Sequence, residues 1–171
     1  MKQPIRIFLA RRRSFLFLLF SLFSLGIMIA IFCFSAQTAD SSSKTSGSFI
    51  LFWAKIFRSD FGALPASAQL SAVSAVGNLV RKLAHAGIYA SLGFFSCGAV
   101  LCAAWPRRLS QKSAVTAVFT LLYAVSDELH QLFVPGRGCE LRDVLIDFGG
   151  ACAGITVMLL IYWLLTKRKK V

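Results

Sequence analysis

The uncharged run at residues 14–34 limits the fold of this chain more than any other feature. It holds 21 residues without a charged side chain. As an α-helix it would be about 31 Å long, at about 1.5 Å per residue, which matches a bilayer hydrocarbon core of about 30 Å. Residues 86–104 and 148–166 form two more uncharged runs of 19 residues each. Since 57% of the residues are hydrophobic and 15% are charged, an integral membrane protein built from helices is predicted.

A fourth span is predicted at residues 113–134, although its sequence is more polar. Between Lys112 and Asp127 lie 14 uncharged residues, about 21 Å of helix, which is too short to cross alone. If the helix continues to Val134, Asp127 and its polar neighbours lie in its last turns, near the outer headgroups. The alternative is a re-entrant or buried helix that does not cross. We expect an all-α polytopic membrane bundle forming one domain, residues 1–171, with spans at about residues 14–34, 84–105, 113–134 and 144–166.

The charge distribution predicts the orientation of the four spans. The N-terminal segment, the connection at residues 107–112 and the C-terminal tail hold 12 basic residues and no acids, whereas all seven acids and seven basic residues lie in the other connections or beside them. Because cytoplasmic flanks collect Lys and Arg, both termini are predicted to be cytoplasmic. The net charge of +12 then has a sufficient role in topology and in contact with anionic lipids, without nucleic-acid binding. The first apolar run exceeds a typical signal-peptide core of about 7 to 15 residues, so we expect it to be retained.

The outer connection at residues 35–80 has a polar, Ser/Thr-rich part followed by an aromatic part. The aromatic part, residues 49–57, is too short to cross and carries Trp53 beside Lys55, which is typical of an interfacial amphipathic segment. From residue 66 to residue 80, apolar side chains recur with a helical period. This period predicts a helix that continues through Arg81 into the second span.

Polar side chains recur at helical spacing in three predicted spans. Residues three or four apart share one face of a helix, so each set forms a stripe. The stripes are Lys82, His85 and Tyr89 on the second span, Tyr123, Asp127 and Gln131 on the third, and Asp143, Asp147, Gly150 and Gly154 on the fourth. Small residues four apart, as in the last stripe, are typical of a face packed against another helix, in this chain or in a second copy. All three stripes are predicted to end on the outer side.

The acids in these stripes require polar partners. A charged side chain in mid-membrane costs roughly 2.5 to 3.5 kcal/mol on insertion scales. The candidate partners are Lys82, His85, Arg137 and Arg142, and the Pro-Gly sequence before Arg137 predicts a tight turn that returns this arginine over the acids. Such a network either only stabilises the bundle or forms a functional site.

Four sequence segments resemble the motifs of the VanZ-like family of bacterial membrane proteins. They are FSAQ at 34–37, NLVRKLAHAGIY at 78–89, DELHQLFVPGR at 127–137 and DVLIDFGGACAG at 143–154. Two positions differ from the family pattern: Ile88 replaces a frequent acid, and Asp147 replaces a frequent Asn. The resemblance implies a multi-pass protein of the bacterial cell membrane, linked through the family's name to glycopeptide (teicoplanin) resistance. The family's polar positions are Gln37, Lys82, His85, Tyr89, Asp127, Glu128, Gln131, Arg137, Asp143 and Asp147.

The first functional hypothesis is a membrane enzyme that modifies a lipid-linked or cell-envelope substrate at its outer face. Paired carboxylates near a histidine supply the groups that acid–base chemistry requires. Asp127 or Glu128 is then the base and His85 a proton carrier, while Lys82 and Arg137 hold a phosphate. The candidate catalytic residues are Asp127, Glu128, His85, Asp143 and Asp147, and the candidate substrate-binding residues are Gln37, Lys82, Tyr89, Gln131 and Arg137.

Two other classes of function remain open. One is a binding protein that sequesters a lipopeptide or glycolipid without catalysis, using the aromatic run at residues 49–57 for apolar contact. The other is an ion or proton carrier, because acids and histidines inside a membrane mark such pathways. Membrane lipids are the expected partners. No metal site and no cofactor are predicted, because the sequence has no His-Glu-x-x-His, Cys-x-x-Cys or nucleotide-binding motif.

Overall fold

The computed structural model describes residues 3–58 and 60–167, and these residues form five α-helices. The helices are α1 (Gln3–Ser35), α2 (Ala39–Phe57), α3 (Ala66–Cys102), α4 (Leu109–Gln131) and α5 (Leu141–Lys167). A 3-10 turn at Phe61–Ala63 separates α2 from α3. The all-α prediction is confirmed, and α3 continues through Arg81 as its apolar period predicted.

Helices α1, α3 and α5 are long and apolar enough to cross a membrane, whereas α4 does not meet this criterion of length and composition. The three spans confirm the membrane class. The predicted fourth span is a helix of 23 residues, but its crossing is not confirmed.

Helices α3 and α5 pack closely because glycines face backbone groups across their interface. A Cβ atom added at Gly93 would overlap the carbonyl of Ala151, and one at Gly150 would overlap the carbonyl of Ala86. At Gly154 it would overlap the carbonyl of Ala90. The small-residue face predicted at Gly150 and Gly154 therefore packs within this chain, against α3.

The C-terminal end of α3 is bound by basic side chains from two other helices. Lys112 of α4 donates to the carbonyls of Val100 and Ala103 at 2.5 and 2.8 Å. Arg13 of α1 donates to the carbonyl of Cys102 at 2.7 Å. These cations satisfy carbonyls that a helix end leaves without intrahelical partners. Arg107 and Arg108, which directly precede α4, lie at this end of the bundle as well.

At the opposite end, α1 and α4 finish while α5 begins, and the chain between α4 and α5 is a short turn. Gly136 in this turn has φ +76°, a left-handed conformation that glycine adopts without a steric penalty. The turn lies against the start of α2, since the amide of Ala39 donates to the carbonyl of Pro135 at 3.4 Å. This end of the bundle contains the polar stripes.

Candidate functional site

Three acids are buried at the polar end of the bundle. The exposed fractions of Asp127, Glu128 and Asp147 are 4%, 2% and 1%. The first two belong to the last turns of α4, and Asp147 belongs to the second turn of α5. The three predicted stripes therefore meet, although they come from α3, α4 and α5.

Asp127 connects α4 to the end of α1. Ser35, the last residue of α1, donates its hydroxyl to Asp127 Oδ2 at 2.9 Å. The side-chain amide of Gln131, one turn later on α4, approaches the same oxygen at 3.5 Å. Both interactions fix the orientation of the carboxyl group without neutralising it.

Glu128 connects α4 to the chain that enters α5. Its Oε1 accepts a hydrogen bond from Gln131 Nε2 at 3.0 Å, and its Oε2 accepts one from the backbone amide of Glu140 at 3.2 Å. Hydrogen bonds to a buried carboxylate offset part of its desolvation cost.

Helix α3 supplies basic side chains to the acids of α5. Lys82 Nζ lies 2.5 Å from Asp143 Oδ1 in a half-buried ion pair. His85 Nδ1 lies 3.8 Å from Asp147 Oδ2, which is close enough for charge attraction but too long for a hydrogen bond. Tyr89, one turn further along α3, is fully buried, and its hydroxyl has no hydrogen-bond partner among the described residues.

Arg137 returns from the turn over the acids, as the Pro-Gly sequence predicted. Its Nη1 donates to Gln131 Oε1 at 3.0 Å, and its Nε donates to the carbonyl of Gln37 at 2.8 Å. Burial, and then the nearby charge of Arg81, lower the pKa of the Arg137 guanidinium. Two arginines therefore lie near each other at the mouth of the site, where an anion would reduce their repulsion.

Two cavities meet at His85. One is polar, about 200 Å³ in volume, and its lining includes Lys82, Glu128, Arg137 and Asp147. The other is mostly apolar, about 560 Å³ in volume, and lies between α1, α2 and α3. His85 and Arg81 line both cavities. A molecule with a polar head and an apolar chain would therefore find both environments side by side.

Most of the predicted site residues lie at or beside the polar cavity. Asp127 and Tyr89 are buried and do not line it. Gln37 contributes its backbone carbonyl to the polar network and otherwise lines the apolar cavity. The Nε2 atom of His130 is buried without a hydrogen-bond partner in the described part of the chain, and its ring stacks on Phe32 at 4.6 Å between centroids.

Arg81 and Ser35 also belong to the site, although neither was predicted from the sequence. Arg81 precedes His85 by one helical turn, and this spacing was a usable signal. For Ser35 no such signal existed, because its contact with Asp127 joins residues 92 positions apart.

The long apolar helices around a buried polar cluster define this protein as a helical membrane protein. Its family follows from a match between residues 17–165 and the model of the VanZ/LLP1 family. Because that match covers most of the chain, the protein belongs to this family, as the motifs in its sequence indicated. No curated protein and no solved structure matches the chain.

Proposed function

We propose that this protein is an enzyme of the bacterial cell membrane that modifies a lipid-linked or cell-envelope substrate at a site near the extracytoplasmic face. The observation that carries the proposal is the contact between a polar and an apolar cavity at His85. Pockets of this kind, apolar with a few convergent polar groups, are typical of ligand sites. The substrate chain would occupy the apolar cavity, and its head would reach the buried acids.

An anionic headgroup, such as a phosphate, fits the charges at the mouth of the site. Arg81, Lys82 and Arg137 all line the polar cavity. Arginine and lysine are the usual ligands of phosphate groups. Glu128 or Asp127 would act as general base and His85 as proton carrier, because all three lie at or beside the position that such a headgroup would occupy.

The proposed topology has four spans, with both termini cytoplasmic and the acids outside. Helix α4 contacts the basic end of the bundle through Lys112 and the polar end through Asp127, so it extends between the same two ends as its neighbours. Between Val115 and Leu129, its exposed side chains are apolar except for Ser126, and its buried ones are polar except for Ala124. The exposed apolar residues there are Val115, Val118, Phe119, Leu122, Val125 and Leu129, and the buried polar residues of the whole helix are Lys112, Thr116, Thr120, Asp127, Glu128 and Gln131. This arrangement suits a helix surrounded by lipid.

In this topology, helix α2 would lie at the membrane interface. Phe52, Trp53, Ile56 and Phe57 are exposed near its C-terminal end, where they would enter the headgroup boundary. Phe49, in contrast, lines the apolar cavity. The aromatic run therefore offers Phe49 to a bound chain, whereas Phe52 and Trp53 are not among the cavity residues.

Mass spectrometry of lipids and cell-wall precursors tests the enzymatic proposal. Cells producing the wild type are compared with cells producing Asp127→Ala at equal membrane levels, and with Asp60→Ala as a control, because Asp60 is exposed and lines neither cavity. We expect one lipid or precursor species to change with the wild type and with Asp60→Ala, but not with Asp127→Ala. Identical profiles in all three strains would reject catalysis.

The alternative is binding of a lipopeptide or glycolipid without catalysis, which the large apolar cavity favours. Both the enzymatic proposal and the binding alternative connect the site to glycopeptide resistance through the family resemblance. If Phe49→Ala weakens protection against teicoplanin while lipid profiles stay constant, binding explains the function. If neither Phe49→Ala nor Asp127→Ala alters protection against teicoplanin, the link to resistance is wrong for this chain.

A further inference from the structure

Three potential metal ligands from three helices converge at the centre of the site. One donor atom each from His85, Asp127 and Asp147 lies within 4.8 Å of the other two. These residues belong to α3, α4 and α5, so the cluster exists only when the helices are packed. No spacing within one helix could predict it.

We propose that His85, Asp127 and Asp147 bind a divalent first-row transition-metal cation such as Zn²⁺ or Mn²⁺. An imidazole nitrogen and two carboxylate oxygens are donors that such ions accept, and three protein ligands leave a coordination position open. In a tetrahedral site, metal–ligand bonds of about 2.1 Å place the donors about 3.4 Å apart, so each donor atom would have to move by up to about 1 Å to complete the site. The proposal concerns the same site as the proposed function but does not depend on any reaction there.

Charge balance supports a cation at this position. Asp127 and Asp147 are both buried, and the basic group of the cluster is His85 alone. Lys82 is paired with Asp143, and Arg137 donates its hydrogen bonds to uncharged oxygens. The charges of Lys82 and Arg137 therefore reach Asp147 and Asp127 only from a distance, without a direct ion pair. Two carboxylates in a low-dielectric environment are costly without an equal positive charge. A divalent cation supplies that charge.

Two buried polar atoms without partners point to the same position. The fully buried hydroxyl of Tyr89 and the Oδ2 atom of Asp147 have no hydrogen-bond partner in the described part of the chain. Tyr89 lies beside the Asp127 carboxyl group. Buried polar groups are normally satisfied by protein, water or ions. A hydrated cation would bond Asp147 Oδ2, and its water would accept a hydrogen bond from Tyr89.

The surroundings of the three residues resemble the support that metal ligands require. Ser35 and Gln131 both donate to Oδ2 of Asp127. These two hydrogen bonds orient the carboxyl group, and neither of them uses its other oxygen, Oδ1. Hydrogen bonds of this kind hold ligands in position. His85 and Asp147 also line the polar cavity, which provides an entry path for an ion.

Metal content can be measured directly on the full chain purified in detergent. The protein is treated with a chelator, dialysed against Zn²⁺, Mn²⁺ or Mg²⁺, and analysed by elemental mass spectrometry. We expect about one equivalent of Zn²⁺ or Mn²⁺ per wild-type chain and at least a tenfold weaker affinity in Asp127→Asn and in Asp147→Asn. Glu140→Gln is the matched control, because it removes a carboxylate that lines the same polar cavity but lies outside the cluster. It should bind metal as the wild type does.

A spectroscopic measurement keeps the proposal testable if a variant fails to fold. Co²⁺ bound to the wild type should give visible d–d absorption that Zn²⁺ abolishes. No metal in folded wild-type protein would overturn the proposal, as would Mg²⁺ binding alone or an equal loss of metal in Glu140→Gln. Metal binding without any lipid change would reject only the enzymatic function, whereas a lipid change produced by a protein that takes up no metal in this assay would reject only the metal site.

Discussion

Arg137 connects three segments that are distant in the sequence. Its guanidinium donates to Gln131 on α4 and to the carbonyls of Gln37 and Phe34 at the end of α1. The planar group with several N–H donors makes this geometry possible, whereas a lysine ammonium cannot reproduce the same fork. The positive φ of Gly136 places Arg137 in this position.

We expect Arg137→Lys to destabilise the polar end of the bundle. The change keeps the charge but removes at least one of the three hydrogen bonds, at a cost of roughly 1 to 3 kcal/mol. The thermal unfolding midpoint in detergent should therefore fall. Arg58→Lys is the control, because Arg58 and Asp60 form an exposed ion pair, and such pairs contribute little. Equal midpoints for Arg137→Lys and the wild type would contradict the connecting role.

Spacing within a helix predicted which residues share a face, and the contacts of Lys82, His85 and Asp147 agree with those stripes. It could not predict which helices are neighbours. The contact between Ser35 and Asp127 and the convergence of His85, Asp127 and Asp147 both depend on helix packing. These features were missed for this physical reason.

At the scale of helices, the interface of α3 and α5 depends on the absence of side chains. Gly93, Gly150 and Gly154 lie where the backbone of the opposite helix leaves no space for a Cβ atom. Because Lys82 and His85 belong to α3, and Asp143 and Asp147 to α5, this close approach also sets the distances of the ion pairs. Helix packing and site geometry are therefore coupled.

The two adjacent glycines of α5 provide a sensitive test of this coupling. Gly150→Ala should force α3 and α5 apart and cost about 1 to 3 kcal/mol, because the added methyl group overlaps the carbonyl of Ala86. Gly149→Ala should be neutral or slightly stabilising, since its Cβ atom would have no neighbour within 4 Å and alanine favours a helix. Thermal unfolding and the yield of folded protein measure both effects. If the two variants behave alike, the interface does not require close backbone contact.

At the scale of the whole molecule, the two ends of the bundle differ in chemistry. The end with Arg13 and Lys112 is basic and satisfies the carbonyls of α3, whereas the opposite end contains the buried acids. Three spans were evident from hydropathy alone, but α4 was ambiguous because its polar side chains face the bundle interior. Hydropathy averages over a helix and cannot separate its two faces, whereas the structure shows that most of the large apolar residues of α4 are exposed.

Thiol labelling in intact cells tests whether α4 crosses the membrane. Cys139 is exposed in the connection between α4 and α5, and Arg108 is exposed directly before α4. One reporter keeps Cys139 as the sole cysteine, and the other carries Arg108→Cys in a cysteine-free background. A membrane-impermeant maleimide should label Cys139 in intact cells, but the Arg108→Cys reporter only after permeabilisation, because a crossing helix separates its two ends. Labelling of both sites from the same side would establish a re-entrant or buried α4 and reject the four-span topology.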